Sequence, residues 1–291
     1  MYKIYAIVIG ILWKAAILLG LINLILRQPY LTVAAALLAP FVFLDLTFWQ
    51  AMWQLLSKIY VKIAHRPPLP SKDNYTCKAD YILPFTGKWT VFNGGVDKEI
   101  SHSWGEYSQR YAYDFIILDD EGKSFAGDNT SVDSYFCYDK DVIAPADGQV
   151  VKVSKRHKDS RVNGTKVYCD TWDIRGNFIV IKHAEDEYSV VAHLAPGSIT
   201  VSVGDSVRQG EVIAKCGNTG NTSEPHLHFQ LQTGKSFFTS AGLPIAFNGI
   251  NAVEKVNYNL ADTRPCEGNL QHVGDKIYIG RGLEVENRHQ P

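Results

Sequence analysis

The feature that most constrains this sequence is an apolar block at its amino terminus. Residues 1–57 carry only four charged side chains, Lys3, Lys14, Arg27 and Asp45. The stretch from Tyr5 to Leu26 is apolar except for Lys14 and Asn23. It is long enough to cross a bilayer as a helix, which takes about 20 residues at ~1.5 Å each. Its apolar residues occupy every side of the predicted helix, which favours membrane insertion over a buried hairpin in a soluble protein.

A second apolar stretch runs from Leu31 to about Leu56 and is interrupted by Pro40 and Asp45. Between Asp45 and Ile63, apolar residues recur at helical spacing with glutamines and lysines between them, which is typical of a helix lying in the membrane interface. The end of a second span gives the same pattern. No small-residue cleavage site follows the first stretch, so we do not expect a cleavable signal peptide. Residues 1–64 are therefore predicted to be membrane-anchoring helices, with one or two spans.

The orientation of this anchor is open at the level of sequence. Two spans would place both termini on one side, and Lys58, Lys62 and Arg66 would favour the cytoplasm. A single span with the amino terminus inside, followed by a surface-lying helix, would place the rest of the chain outside.

A proline-rich joint, residues 65–75, separates the anchor from a domain of different character. From Thr76 onward, short β-branched and aromatic runs alternate with Gly, Asp, Asn and Pro turns, and no helical period appears before Gly249. We expect a mainly β domain over residues 76–250 and a tail over 251–291 with one short strand near Lys276–Ile279. The predicted strands are Gln109–Ile117, Asp141–Ala144, Gly148–Val153, Asn177–His183, Tyr188–Leu194, Glu211–Lys215 and His226–Leu231.

Two valine-rich segments, Val142–Val151 and Val201–Ala214, resemble each other and give the domain a half-barrel texture like that of biotinyl and lipoyl carriers. A carrier needs a modified lysine at a hairpin tip, and no such motif occurs. The charge is balanced, with 29 Lys plus Arg against 30 Asp plus Glu. No basic field is present to collect nucleic acid. The five cysteines form no CxxC pair, which argues against a cysteine zinc site.

The strongest chemical motif is His226-Leu227-His228, after a Gly- and Asn-rich turn. Side chains at i and i+2 of a strand point to the same face, so the two imidazoles would lie side by side, as in many zinc sites. His193 ends a predicted buried strand, and a desolvated imidazole there can act as a general base.

These motifs resemble the lysostaphin-like (LytM-type) zinc metallopeptidases, in Val190–Leu231 and again in Ala144–Val153. The resemblance covers about Ser101 to Gln232 and implies a lysostaphin-like antiparallel sheet. It implies that His228 is a zinc ligand and that His193 and His226 are catalytic.

The sequence departs from the family at the remaining two ligands, which are usually a His-x-x-x-Asp pair. Asp114 fits the aspartate, but Arg110 occupies the histidine position, and arginine cannot ligate a metal. Either His102 replaces it across a longer loop, which we favour, or the site is degenerate. Tyr111 and Tyr113 lie an odd number of positions from Asp114 and are predicted to face the other side of the strand.

The resemblance implies a membrane-anchored zinc endopeptidase that cuts peptide bonds of peptidoglycan, with its catalytic domain on the outer face of the membrane. A non-catalytic module of the same fold that binds wall or regulates other hydrolases is the alternative. The segment from Thr76 to Ile100, with Trp89, Phe92 and Asn93, is expected to line the substrate groove or to block it.

Overall fold

The computed structural model describes residues 2–44, 46–65, 67–162, 173–264, 266 and 270–288. The chain divides into two compact units, Met1–Ile59 and Tyr60–Pro291. Each unit has its own kind of secondary structure, because the first is built from the apolar block and the second from the β-rich sequence that follows it.

The first unit consists of helices. They are α1 (Tyr2–Leu26), α2 (Pro29–Leu38), a 3-10 segment (Ala39–Leu44) and the greater part of α3 (Leu46–Ala64). Helix α1 packs against α2, where the Asn23 amide donates to Thr32 Oγ1 at 2.7 Å. In the described residues, Ile9–Leu26 is the one segment long and apolar enough to cross a membrane. Its exposed Leu24 and Ile25 leave apolar surface uncovered, which is compatible with the predicted anchor.

The second unit is built mainly from strands. They are β1 (Trp89–Asn93), β2 (Tyr113–Ile116), β3 (Asp141–Ile143), β4 (Gly148–Ser154), β5 (Phe178–Ala184), β6 (Glu187–Ala192), β7 (Ser206–Val207), β8 (Val212–Lys215), β9 (Leu227–Gln232), β10 (Gly242–Leu243), β11 (Ile250–Glu254), β12 (Gln271–Val273), β13 (Lys276–Tyr278) and β14 (Leu283–Asn287). A short helix, α4 (Tyr258–Ala261), and a 3-10 turn (Val132–Ser134) lie between strands.

The main sheet is antiparallel and runs in the order β11-β14-β1-β2-β9-β6-β5-β4-β7, with β10 also paired to β9. The prediction of a mainly β, antiparallel domain is confirmed. Strands β11 and β14 come from residues after 249 and nevertheless lie in this sheet, because β14 pairs with β1.

The similar valine-rich segments recognised in the sequence pair with each other. Strand β3 pairs with β8, and β4 pairs with β7. The two similar segments that suggested a half-barrel are therefore strands that hydrogen-bond to each other.

One predicted strand is wrong at its start. The prediction ran from Gln109 to Ile117, whereas β2 begins at Tyr113. The Ala112 amide donates to the Gln109 carbonyl oxygen at 3.0 Å, which closes a turn and keeps these residues out of the sheet. The other predicted strands, including β9, coincide with observed ones to within two residues at each end.

Alternation along the strands separates a core face from a polar face. Phe115 of β2, Phe229 of β9 and Val191 of β6 belong to the main hydrophobic core. Their neighbours in sequence, Asp114 and His228, face the opposite side, and it is there that the predicted site residues collect.

Candidate metal centre and catalytic histidines

The register of three neighbouring strands places the centre of the site. Asp114 of β2 lies directly opposite His228 of β9, which in turn lies opposite Ala192 of β6. His193 follows Ala192 and His226 precedes β9, so both flank the same point. The pairing of strands far apart in sequence thus brings Asp114, His193, His226 and His228 together.

The ring of His228 is oriented by glutamine. Its Nδ1 lies 3.0 Å from Asp114 Oδ1, and its Nε2 lies 2.9 Å from Gln230 Oε1. The Gln230 amide nitrogen donates to the Ser108 carbonyl oxygen at 3.0 Å, which leaves Oε1 as the atom that faces the imidazole. Because Oε1 can only accept, Nε2 carries a proton and Nδ1 is the nitrogen presented to the site.

His102 reaches Asp114 from a loop. Its Nε2 lies 3.6 Å from Asp114 Oδ2, and its side chain is 24% exposed. The loop is closed by Ser101, whose hydroxyl donates to the Arg110 carbonyl oxygen at 2.7 Å and accepts from the Ser103 amide at 3.2 Å. The structure therefore brings the predicted replacement for the missing histidine to the expected carboxylate.

Arg110, which stands where the resemblance implied a histidine, contacts residues of this loop. Its guanidinium lies 4.8 Å from the ring centroids of both Trp104 and Tyr107, and its Nε donates to the Trp104 carbonyl oxygen at 3.2 Å. Cation–π contacts of this kind stabilise a fold by about 0.5–2 kcal/mol. Arg110 cannot ligate a metal, but its contacts stabilise the longer loop that carries His102.

His193 is held in an unusual backbone conformation. Its φ is 62°, in the left-handed region that non-glycine residues rarely adopt. Its amide donates to the Arg175 carbonyl oxygen at 2.9 Å, and its Nδ1 lies 2.7 Å from the Thr219 carbonyl oxygen. Burial lowers the pKa of His193 well below its ordinary value, and the neighbouring His226 and His228 lower it further. His193 is therefore neutral, with Nδ1 protonated and Nε2 able to accept a proton.

His226 has the same arrangement. Its Nδ1 lies 2.8 Å from the Glu224 carbonyl oxygen, and Thr222 Oγ1 is 3.2 Å away. Its ring centroid lies 4.6 Å from that of His193, and its Nε2 is 3.7 Å from Asp114 Oδ1. A carbonyl oxygen can only accept, so both rings donate through Nδ1.

The backbone behind His193 is packed too closely for any side chain. Gly176 has φ 63°, and a Cβ there would lie 2.3 Å from the Thr219 carbonyl carbon. Only glycine allows this approach, which keeps Thr219 at the distance that orients the His193 ring.

Asp114 is ionised despite its burial. Burial alone would raise its pKa, but His102, His226 and His228 outweigh that effect and hold the pKa well below the ordinary value. In the described part of the chain, no lysine or arginine forms an ion pair with this carboxylate. A buried carboxylate surrounded by imidazoles is a costly arrangement that a bound cation relieves.

The donor types at this site are ones that zinc binds. Two imidazole nitrogens and one carboxylate are among the ligands that zinc prefers, and catalytic sites keep a fourth position for water. Among the described residues, no group of three or more His, Cys, Asp or Glu side chains is arranged closely enough to hold a metal ion. The site matches zinc in the types of its donor atoms, and both imidazoles lie next to the Asp114 carboxylate.

Several other predicted residues lie elsewhere. Tyr113 is in the main core and Tyr111 in a smaller cluster, so neither faces the site. Trp89 is buried in the core rather than lining a groove, whereas Asn93 does reach the site, with its Nδ2 3.1 Å from Asp114 Oδ2. Sequence reasoning missed Gln230 and Thr219; the alternation of β9 places Gln230 beside His228 and was the available signal for it.

Among the described residues, Cys77, Cys137 and Cys216 are buried and Cys266 is half-buried, and none belongs to a group that could hold a metal ion. Cys169 lies outside the described residues.

Part of the chain is similar to known proteins. Residues 128–239 match the model of Peptidase family M23, which confirms the predicted resemblance. An uncharacterized metalloprotease of Haemophilus influenzae is 30% identical over 132 residues, which are 45% of this chain and 24% of that protein. The murein hydrolase activator NlpD of Salmonella dublin is 32% identical over 128 residues, 44% of this chain and 29% of the relative.

Among solved structures, the catalytic domain of the antimicrobial peptidase lysostaphin from Staphylococcus simulans matches with a TM-score of 0.32 and 20% identity. The match covers 54% of this chain and 88% of that one. The chain spans less than a third of the length of either curated relative.

Proposed function

We propose that the protein is a membrane-anchored zinc metalloendopeptidase that hydrolyses peptide bonds of cell-wall peptidoglycan. The observation that carries this proposal is the meeting of two sets of groups at one point of the sheet. His102, Asp114 and His228 form the ligand set, and His193 and His226 stand beside it with Nε2 available.

In this proposal, zinc is held by His102 Nε2, the Asp114 carboxylate and His228 Nδ1. When bound, the metal acidifies a water molecule and polarises the scissile carbonyl. Gln230 holds His228 in the tautomer that presents Nδ1, and such outer partners fix ligand orientation in metal sites.

His193 and His226 handle the protons. At neutral pH, buried His193 keeps a lone pair on Nε2 and can accept the proton of the attacking water. Once a ring is protonated, its Nε2–H becomes a donor for the developing oxyanion or for the leaving amine. The backbone carbonyls of Thr219 and Glu224 then stabilise the imidazolium through Nδ1–H.

The relatives support the proposed substrate and location. One of them is named a murein hydrolase activator, and the matched family is one of peptidases. Peptidoglycan lies outside the cytoplasmic membrane, so we place the domain on the outer face, held by the apolar helix α1. Peptidoglycan peptide and membrane lipid are the proposed partners.

The test measures zinc and cleavage separately on the full-length chain in detergent. We expect His102→Ala to lose bound zinc, measured by elemental analysis, and with it the release of new amino groups from purified peptidoglycan. His193→Ala should keep zinc and lose cleavage by about 10²–10⁴-fold. His272→Ala, an exposed histidine of β12, is the matched control and should change neither.

The second candidate is a catalytically inactive module that binds wall or activates other hydrolases. The likeness to NlpD and the arginine at the expected ligand position favour it. A wild-type protein that binds no zinc supports this candidate. Unchanged zinc in His102→Ala removes His102 from the ligand set.

A further inference from the structure

The two carboxylate oxygens of Asp114 have different partners. Oδ1 faces His228 and His226, whereas Oδ2 faces His102 and accepts a hydrogen bond from Asn93 Nδ2 at 3.1 Å. Asn93 is the last residue of β1 and pairs with Asp114 across the sheet, just after an irregularity in the register. Such bulges redirect a side chain, and here the redirected side chain meets the carboxylate.

An asparagine side chain can present either its oxygen or its nitrogen, and only one choice suits a carboxylate. Arg264 decides between them. Its Nη2 donates to Asn93 Oδ1 at 2.8 Å, and a guanidinium has no acceptor atom. The amide oxygen must therefore face Arg264, which leaves Nδ2 to donate to Asp114.

Arg264 is itself fixed by a carboxylate. Its Nε and Nη2 lie 2.7 and 2.6 Å from Asp262 Oδ2, and its backbone amide donates to Asp262 Oδ1 at 3.0 Å. The Tyr258 hydroxyl lies 3.0 Å from both Asp262 Oδ2 and the Phe92 carbonyl oxygen. The arginine is thus tied to α4 and, through Tyr258, back to β1.

This arrangement comes from parts of the chain that lie outside the family match. The match covers residues 128–239, whereas Asn93 precedes it and Arg264 follows it. The strand order explains how they meet, since β11 and β14 carry the later segment to the side of the sheet where β1 and β2 lie.

We propose that Asn93 and Arg264 are positioning residues of the metal centre: Arg264 orients the Asn93 amide, and Asn93 fixes the Asp114 carboxylate for ligation. This inference rests on the proposed function, because it assigns the two residues to the zinc ligand Asp114. It makes the carboxyl-terminal segment part of the site.

A simple charge effect predicts the opposite result for Arg264. Removing a cation near the metal site lowers repulsion and leaves Asp262 uncompensated, so zinc should bind more tightly. If Arg264 acts through Asn93, its removal frees the amide to turn its oxygen toward Asp114, and zinc should bind more weakly.

The experiment is a zinc titration of the metal-free, full-length protein in detergent, in competition with a chromophoric chelator. We expect Asn93→Ala to weaken zinc binding about 10–100-fold and Arg264→Ala about 10-fold, which is the range for outer partners of metal ligands. The double variant should be no weaker than Asn93→Ala, because one residue acts through the other. Arg208→Ala, an exposed arginine in the β7–β8 turn, is the control and should bind like wild type.

Arg264→Lys is a milder variant that controls for misfolding of Arg264→Ala. Thermal unfolding of each metal-free protein shows whether the variant is folded. A lysine cannot both pair with Asp262 as a fork and donate to Asn93, so its zinc affinity should fall between wild type and Arg264→Ala. Tighter or unchanged zinc binding by Arg264→Ala overturns the inference while the metal site stands. A wild-type protein that takes up no zinc overturns the proposed metal site and this inference together.

Discussion

Single atoms divide the histidines of this centre into two groups. His193 and His226 each place Nδ1 against a backbone carbonyl oxygen and keep Nε2 available, whereas His228 places Nε2 against Gln230 and presents Nδ1. The sequence predicted different roles for these residues only through the family resemblance. The partner atoms now give a physical reason for that difference, since a carbonyl oxygen fixes which ring nitrogen holds the proton.

His183 is a histidine of another kind, and its environment makes a pH prediction. Its Nδ1 lies 2.8 Å from the Asp147 carbonyl oxygen and its Nε2 2.7 Å from Ser189 Oγ. Burial lowers the pKa of His183 below its ordinary value of 6.5, and the bond to Asp147 offsets part of this effect. The unfolded chain therefore binds the proton more readily, so the stabilisation is present above pH 6.5 and is lost as the pH falls through the folded pKa.

We expect His183→Asn to flatten this dependence, since its amide can still donate to Asp147 but does not titrate. Urea unfolding from about pH 7 to 5 should show the free energy of unfolding falling less in the variant than in wild type. Other buried histidines contribute equally to both proteins and cancel in the difference. Parallel curves would remove His183 as a source of the pH dependence.

At the scale of elements, the strands and a loop after His102 were predictable, but the extension of that loop to Ala112 was not. Apolar runs mark β5 and β6 in the sequence, and alternation of apolar with polar residues marks β9. The sequence pattern extended β2 back to Gln109, and the turn that ends at Ala112 overrides it. The local sequence pattern does not predict this turn, because its stability comes from contacts of Arg110 with Trp104 and Tyr107.

Arg110→Ala tests that loop. Loss of the two ring contacts and of the bond to the Trp104 carbonyl oxygen should lower the free energy of unfolding by about 1 kcal/mol. Zinc binding should weaken as well, because His102 is carried by the same loop. Denaturant unfolding measures the free energy of unfolding, and zinc titration measures the zinc affinity.

Arg110→Lys is the matched variant, since it keeps the charge but not the planar fork, and it should lose less stability than the alanine. Wild-type stability and zinc affinity in Arg110→Ala would mean that the loop holds His102 without the arginine.

At the scale of the whole molecule, the family match alone does not contain the site. Asp114 and His102 precede residue 128, and β2 is the neighbour that completes β9. Strands from before and after the match therefore belong to the same sheet as the matched core. The predicted anchor precedes all of these strands in the chain.

The orientation of the predicted anchor can be tested in intact cells. If the domain lies on the outer face, protease added to cells with a permeable wall should cut near the exposed Pro67 and Pro68 and release a soluble fragment. Immunoblotting against the carboxyl terminus detects the fragment, and a cytoplasmic marker protein controls for lysis. Protection until the cells are lysed would place the domain inside and rule out direct cleavage of the wall.

The sequence by itself determined the apolar amino-terminal block, the β class, and the placement of His226 and His228 on one strand face, because these depend on composition and on strand periodicity. It also predicted that Asp114 needs a partner, since a lone carboxylate in an apolar strand is costly. Only the tertiary structure decided that His102 approaches Asp114, that Arg110 stabilises the loop, and that Arg264 orients Asn93. These contacts join residues from separate elements, and no local pattern encodes the pairing of β14 with β1 or of β2 with β9 that brings them together.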